Sequence, residues 1–151
     1  MKVMIIMGSV SDEPVMQESK KWLDWFEIEN EMVVASAHRN PDKVRDLMMN
    51  ARQNGFGAII AAAGMAAALP GVCAAYTSLP VLGVPLEGGL PGGVDALYSI
   101  VQMPPGLPVG TLAVGKAGAR NAAALAARIL GLSDEKVAQK VEAFKEAGYK
   151  I

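Results

Sequence analysis

One short stretch, Ser36-Ala37-His38-Arg39-Asn40-Pro41, carries the only histidine of the chain and sets an arginine beside it. An imidazole of ordinary pKa, near ~6.5, is the side chain best suited to moving a proton at neutrality. A guanidinium is a permanent cation that matches phosphate or carboxylate. A lone histidine is more often structural than catalytic, so the surroundings must decide. The preceding Glu31-Met32-Val33-Val34-Ala35 reads as a strand, while Asn40 suits a helix N-cap and Pro41 the first helical position. His38 and Arg39 therefore fall on a loop at the carboxyl end of a strand.

Two further loops carry unusual residue types. Gly8-Ser9-Val10-Ser11-Asp12 lies between an apolar run and a helix start. Free amides, the positive end of a helix dipole and two hydroxyls favour a phosphate there. Asp12 would repel phosphate but can accept hydrogen bonds from ribose hydroxyls; its plainer role, or that of Ser11, is a helix cap. The loop has neither GxGxxG nor Walker spacing. Gly64-Met65-Ala66-Ala67-Ala68-Leu69-Pro70-Gly71 offers close backbone approach, with room for a flat base or small neutral molecule that Met65 and Leu69 keep dry. Tight packing of a glycine-alanine turn is the plainer alternative. With one His, one Cys and no spaced acidic cluster there is no metal constellation, and no GxSxG elbow marks a serine hydrolase.

The elements that must position these loops alternate. Val3–Met7 is a continuous apolar run of the kind a doubly covered parallel strand shows. A helix follows from Pro14 to about Phe26, with Met16, Leu23 and Phe26 on one face. Strand two covers Glu31–Ser36. The helix after Asn40 carries Val44, Leu47, Met48 and Ala51 at helical spacing and stops near Gly55. Strand three is Ala58–Ala63, and Pro70 starts a helix ending near Thr77. Strand four is Val81–Val84, followed by the Pro85–Gly93 loop. Its four glycines and two prolines suit a tightly bent or mobile loop near a site. Val94–Met103 is a helix apolar nearly all round, which predicts burial on every side and a subunit interface. Strand five is Val109–Val114; an alanine-rich helix runs Arg120–Leu130, Gly131 closes it, Ser133 caps the last helix, and that helix covers about 134–147.

This alternation predicts an α/β fold: a three-layer α/β/α sandwich on a five-stranded parallel sheet, one domain over 1–151. Sites in such sheets lie beyond the carboxyl ends of the strands, where strand order reverses. A 2-1-3-4-5 order brings all three unusual loops to one crevice.

Net charge is −1 with charges mixed along the chain, which argues against a nucleic-acid-binding face. Hydrophobic content of 52 % against 19 % charged leaves little polar surface for a monomer and favours a homo-oligomer. Met1–Met7 is too short and too little cationic for a signal peptide, and Ala58–Ala75 is broken by Gly64, Pro70 and Gly71, a poor membrane span. The single cysteine, Cys73, fits a reducing cytoplasm and a small buried hydrophobe.

GSVSD, SAHRNP, AAAGMAAALPG, PVLGVP and DALYSIVQMPPGLPVGTLAVGKAGARNAAALAARIL occur in order over residues 3–132. Together they resemble the PurE family: N5-carboxyaminoimidazole ribonucleotide mutase and the related aminoimidazole ribonucleotide carboxylase of purine biosynthesis. The resemblance implies a flavodoxin-like fold, an octamer, and a reaction needing no metal or cofactor. In it, CO2 leaves the exocyclic nitrogen, is trapped, and is recaptured at ring carbon C4. It further implies that Ser9, Ser11, Ser36 and Arg39 hold the ribose 5-phosphate and that Asp12 takes the ribose hydroxyls. His38 would be the general acid/base, with Ala63, Gly64 and Leu69 lining the imidazole and carboxylate pocket.

The chain departs from that pattern. The bacterial mutase type usually reads AHLPG, where Ala68-Leu69-Pro70-Gly71 stands here, and Met65 replaces a usual glycine. The animal-type carboxylases also lack the pocket histidine but carry lysine where this chain has Arg39. Asn40 for threonine is mild, and the chain's early end predicts a reduced C-terminal arm. The mutase is therefore the expected activity. Its alternatives are a carboxylase or decarboxylase working with free CO2, and a non-catalytic ribonucleotide-binding homologue.

Overall fold

The computed structural model describes residues 1–151. Five parallel strands form one sheet: β1 (Lys2–Met7), β2 (Asn30–Val34), β3 (Phe56–Gly64), β4 (Val81–Leu86) and β5 (Gly110–Thr111), in the order β2-β1-β3-β4-β5. Six helices connect and cover it: α1 (Glu13–Trp25), α2 (Pro41–Ala51), α3 (Leu69–Tyr76), α4 (Val94–Val101), α5 (Gly115–Leu130) and α6 (Glu135–Glu146). This is the predicted three-layer sandwich with flavodoxin-like strand order.

The period of two along the central strands divides them between two cores. Val3, Ile5 and Met7 of β1, with Ala58, Ile60 and Ala62 of β3, face α1, α5 and α6. Met4 and Ile6, with Ile59, Ala61 and Ala63, face α2, α3 and α4. Because both faces are covered, these strands read as apolar runs instead of alternating ones. The predicted stripes of α1 and α2 face the cores, with Leu47 only half-buried, and inside the α1 face Ser19 Oγ donates to the carbonyl of Ala119 at 2.7 Å. Edge-to-face packing of Phe144 against Trp22, Trp25 and Phe26 seats α6 on α1. Cys73 is buried, and burial pushes its thiol up to about 12.

Several boundaries differ from the sequence reading. β4 continues through Pro85 to Leu86, because the Pro85 position pairs with Ala63 within a parallel ladder whose hydrogen bonds do not all need that amide. β5 is two residues long, not six; the chain leaves the edge of the sheet after Thr111 and turns into α5. α5 begins at Gly115, five residues before Arg120: Gly115 has φ +69 and opens the helix, and Gly118 lies inside it. Asp134, not Ser133, caps α6, its Oδ1 accepting from the amides of Lys136 and Val137 at 3.0 and 3.3 Å, while Ser133 Oγ donates to the carbonyl of Leu130. Asn40 makes no cap bond to α2; its Oδ1 accepts from the Ser36 amide at 3.3 Å. α4 is not buried on every side within the chain. Ala96 and Ile100 are in the core, but Tyr98 and Val101 are 61 % and 47 % exposed.

Gly118 is where α5 comes closest to the loop after β5. A Cβ there would lie 1.6 Å from the carbonyl oxygen of Ala113 and 3.3 Å from Val84 Cγ1. Gly118→Ala is therefore expected to destabilise the protein by about 1–3 kcal/mol, the range for overpacking. The check is a lowered urea midpoint at unchanged denaturant dependence.

Candidate functional site

The exit of β1 folds back on itself. Val10–Asp12 forms a single 3-10 turn capped reciprocally: Ser9 Oγ accepts from the Ser11 amide at 3.2 Å, and the Ser9 amide donates to Asp12 Oδ2 at 3.1 Å. Ser11 Oγ donates to Ser9 Oγ at 2.8 Å, so the two hydroxyls sit together. Burial raises the pKa of Asp12 above the ordinary aspartate value; the Ser9 amide and the Ser11 side chain pull it partly back. The plainer capping role of this loop is thus present, and it places two hydroxyls and a carboxylate at one edge.

The exit of β2 is a closed turn. The Asn40 amide donates to the Ser36 carbonyl at 2.8 Å, and the Arg39 amide to Ser36 Oγ at 3.2 Å. His38 and Arg39 ride on the outside of this turn, both exposed. Neither side chain makes a hydrogen bond or ion pair within the chain.

The exit of β3 is built differently. Met65 adopts φ +54, a left-handed conformation costing a residue with a side chain about 1–2 kcal/mol. A glycine would sit there without that cost. The turn aims Met65 outward, 61 % exposed, so it does not keep the space dry; Leu69, 2 % exposed, is the residue that seals the floor. Gly64 packs tightly on the next strand, since a Cβ there would meet the Leu86 carbonyl oxygen at 3.2 Å.

The three exits meet around a cleft of about 460 Å³. Ser9, Ser11, Asp12, Ser36, His38, Arg39, Ala63, Gly64 and Leu69 all line it, so the structure brings together every residue singled out from sequence. Ala68 lines it too, a methyl where the resemblance leads one to look for a second imidazole. Two residues the sequence reading did not single out, Glu87 and Gly88, close the side nearest β4. Their signal was position alone: they follow a central strand at its carboxyl end, within the glycine-rich loop. No group of three His, Cys, Asp or Glu is placed to hold a metal ion. The arrangement can receive an anion at the β1–β2 side, present backbone and methyl groups to something flat beyond it, and move a proton through one imidazole.

An α/β sandwich with a polar cleft at the switch point of a 2-1-3-4-5 sheet defines the class: a small-ligand-binding protein of flavodoxin-like architecture. Residues 2–150 match the family model for AIR carboxylase. The chain is 56 % identical over 145 residues to the N5-carboxyaminoimidazole ribonucleotide mutase of Vibrio vulnificus (strain CMCP6), covering 96 % of this chain and 90 % of that one. It is 50 % identical over 146 residues to the mutase of Escherichia coli (strain K12), covering 97 % and 86 %. The crystal structure of Treponema denticola PurE superposes with a TM-score of 0.85 at 28 % identity, covering 97 % and 90 %. The chain belongs to the AIR carboxylase (PurE) family.

Asp12 offers a test of the β1 exit. Its folded-state pKa lies above the unfolded value, so folding disfavours the carboxylate, and that penalty enters as pH rises through the titration of Asp12. Asp12→Asn, which keeps an oxygen to accept the Ser9 amide, should gain stability relative to the parent as pH rises across the carboxylate range and hold that gain at neutrality. Urea unfolding at a series of pH values measures it; a difference independent of pH would contradict the partial burial of this carboxylate.

Proposed function

We propose that the chain is an N5-carboxyaminoimidazole ribonucleotide mutase of purine biosynthesis, converting that substrate to 4-carboxyaminoimidazole ribonucleotide. The observation that carries this reading is the identity of 50–56 % to mutases over nearly the whole chain. The cleft supports it. Ser9, Ser11, Ser36 and Arg39 take the 5-phosphate, using hydroxyls, amides at the start of a helical turn and the guanidinium. Asp12 accepts from the ribose hydroxyls. Ala63, Gly64 and Leu69 form the flat, dry floor under the imidazole ring.

Chemistry runs on His38. Its imidazolium gives a proton to the exocyclic nitrogen as the C–N bond to the carboxylate breaks and neutral CO2 is released. Ring carbon C4 then attacks the trapped CO2, forming a C–C bond. The now neutral imidazole removes the C4 proton, which restores the aromatic ring and returns His38 to its starting state. Proton count and carboxylate count both balance, with no other reactant. Exclusion of water favours loss of neutral CO2 over the charged carboxylate and keeps it from escaping.

The reading extends to assembly and place of action. The exposed apolar side of α4, with Tyr98 and Val101, meets further copies of the chain in a homo-oligomer, an octamer by resemblance. The protein acts in the cytoplasm on a small ribonucleotide; no helix is long and apolar enough to cross a membrane. A monomeric mass in solution at micromolar concentration would contradict the assembly.

A specific observation favours a second reading. Ala68 leaves the CO2 side of the cleft with one imidazole fewer than the mutase pattern, which suits direct carboxylation of aminoimidazole ribonucleotide. Assaying the N-carboxylated substrate against aminoimidazole ribonucleotide plus bicarbonate separates the two; faster turnover of the first is expected. His38→Asn is expected to abolish interconversion while ribose 5-phosphate affinity stays within a few-fold. Arg39→Ala should weaken that affinity by about 10–100-fold, the loss of a charge-assisted contact. Full activity in His38→Asn would end the mechanism.

A further inference from the structure

We infer that Glu87 is the residue that recognises the exocyclic amino nitrogen of the substrate and drives CO2 onto and off the ring by its fixed negative charge; this rests on the mutase reading above. Four ionisable residues line the cleft: Asp12, His38, Arg39 and Glu87. Asp12 is tied to the Ser9 amide. Glu87 is exposed and makes no hydrogen bond or ion pair within the chain, so its carboxylate is open to a ligand.

Its place is held by its neighbours. Glu87 directly follows β4, whose last residue Leu86 is in register with Gly64 on the cleft floor. The stem of Glu87 passes over Gly93, where a Cβ would lie 3.5 Å from Glu87 Cγ. Gly93 has φ +67 and Gly88 φ +151, backbone conformations that suit glycine. The next turn is anchored to α4, because the Leu90 amide donates to Asp95 Oδ2 at 3.1 Å and that carboxylate fills the space a Cβ on Gly89 would need.

The order of strands then divides the cleft. Hydroxyls and the guanidinium stand at the exits of β1 and β2; Glu87 stands at the exit of β4, with β3 between. A phosphate is drawn to the first end and repelled from the second. The base must extend toward Glu87, and the N–H donor it presents is the exocyclic nitrogen. A carboxylate accepting from that N–H favours the positive charge that develops on the nitrogen when C4 attacks CO2. The same charge disfavours a carboxylate nearby relative to neutral CO2, so it assists departure from nitrogen. No bond to Glu87 forms or breaks.

Glu87→Gln and Glu87→Ala test this against the parent enzyme. With the N-carboxylated substrate, both variants are expected to lose tenfold or more in kcat with KM changed less than threefold, while ribose 5-phosphate affinity stays within twofold. A merely structural role would lower the unfolding midpoint and weaken ribose 5-phosphate together. A binding arm needs no turnover: the parent's preference for aminoimidazole ribonucleotide over ribose 5-phosphate should fall about tenfold in Glu87→Ala. An inactive parent would sink the mutase reading, and the binding preference would still decide Glu87. An active parent with both variants within twofold in kcat and in that preference would overturn the role of Glu87 alone.

Discussion

The parallel pairing of β1 with β3 is the contact on which the rest of the molecule depends. β1 runs beside β2 on one side and β3 on the other, and the connections α1 and α2 leave on opposite faces. A crevice opens at the carboxyl ends where the chain diverges. The pair is buried on both faces, every side chain from Val3 to Met7 being inaccessible. A one-residue slip of this register would exchange the two cores, since Val3, Ile5 and Met7 pack with one helix layer and Met4 and Ile6 with the other. The site inherits its precision from that constraint: Gly8 follows β1, Gly64 ends β3, and their separation is set by strand spacing.

From that rigid base the loops specialise. The β1 exit satisfies its own polar groups through the Ser9–Asp12 box, so it is shaped before any ligand arrives. The β2 exit fixes its backbone through Ser36 and Asn40 but leaves the His38 and Arg39 side chains without internal partners. A fixed backbone with unpartnered side-chain tips is an arrangement that can receive an anion without moving the turn. The tips can follow the ligand while the turn holds its place.

Much of this was legible in the amino-acid order, and the misses have physical causes. β1, β3 and the stripes of α1 and α2 stand out because burial on two faces or one leaves a clear apolar period. The candidate residues were legible because glycine, serine, histidine and arginine at strand ends have few structural uses in common. β5 is shorter than its sequence suggests, since an edge segment of mixed apolar residues carries the pattern of a strand even where pairing ends after two residues. The start of α5 was hidden by Gly115 and Gly118, which lower helix propensity; both are there for left-handed entry and for contact with Ala113. Glu87 is not legible from sequence, because nothing in its type distinguishes it from a solvated glutamate. Only the extension of β4 through Pro85 and Leu86 places it on the rim.

Met65 and Ala68 belong together in the same turn. The turn from Gly64 closes through short-range bonds, the Ala67 amide to the Met65 carbonyl at 2.9 Å and the Ala68 amide to the Ala66 carbonyl at 2.7 Å. Such a tight path requires the left-handed residue at position 65, and the buried Leu69 with Pro70 behind it holds the path against the strain. The consequence is a floor made of backbone and methyl groups, with the one large side chain thrown outward. A floor of that kind carries no titratable group. Titratable chemistry in the cleft is thereby confined to its two ends, His38 with Arg39 at β2 and Glu87 at β4, and to Asp12 between them. Ala68 supplies no imidazole, so His38 is the one imidazole that lines the cleft.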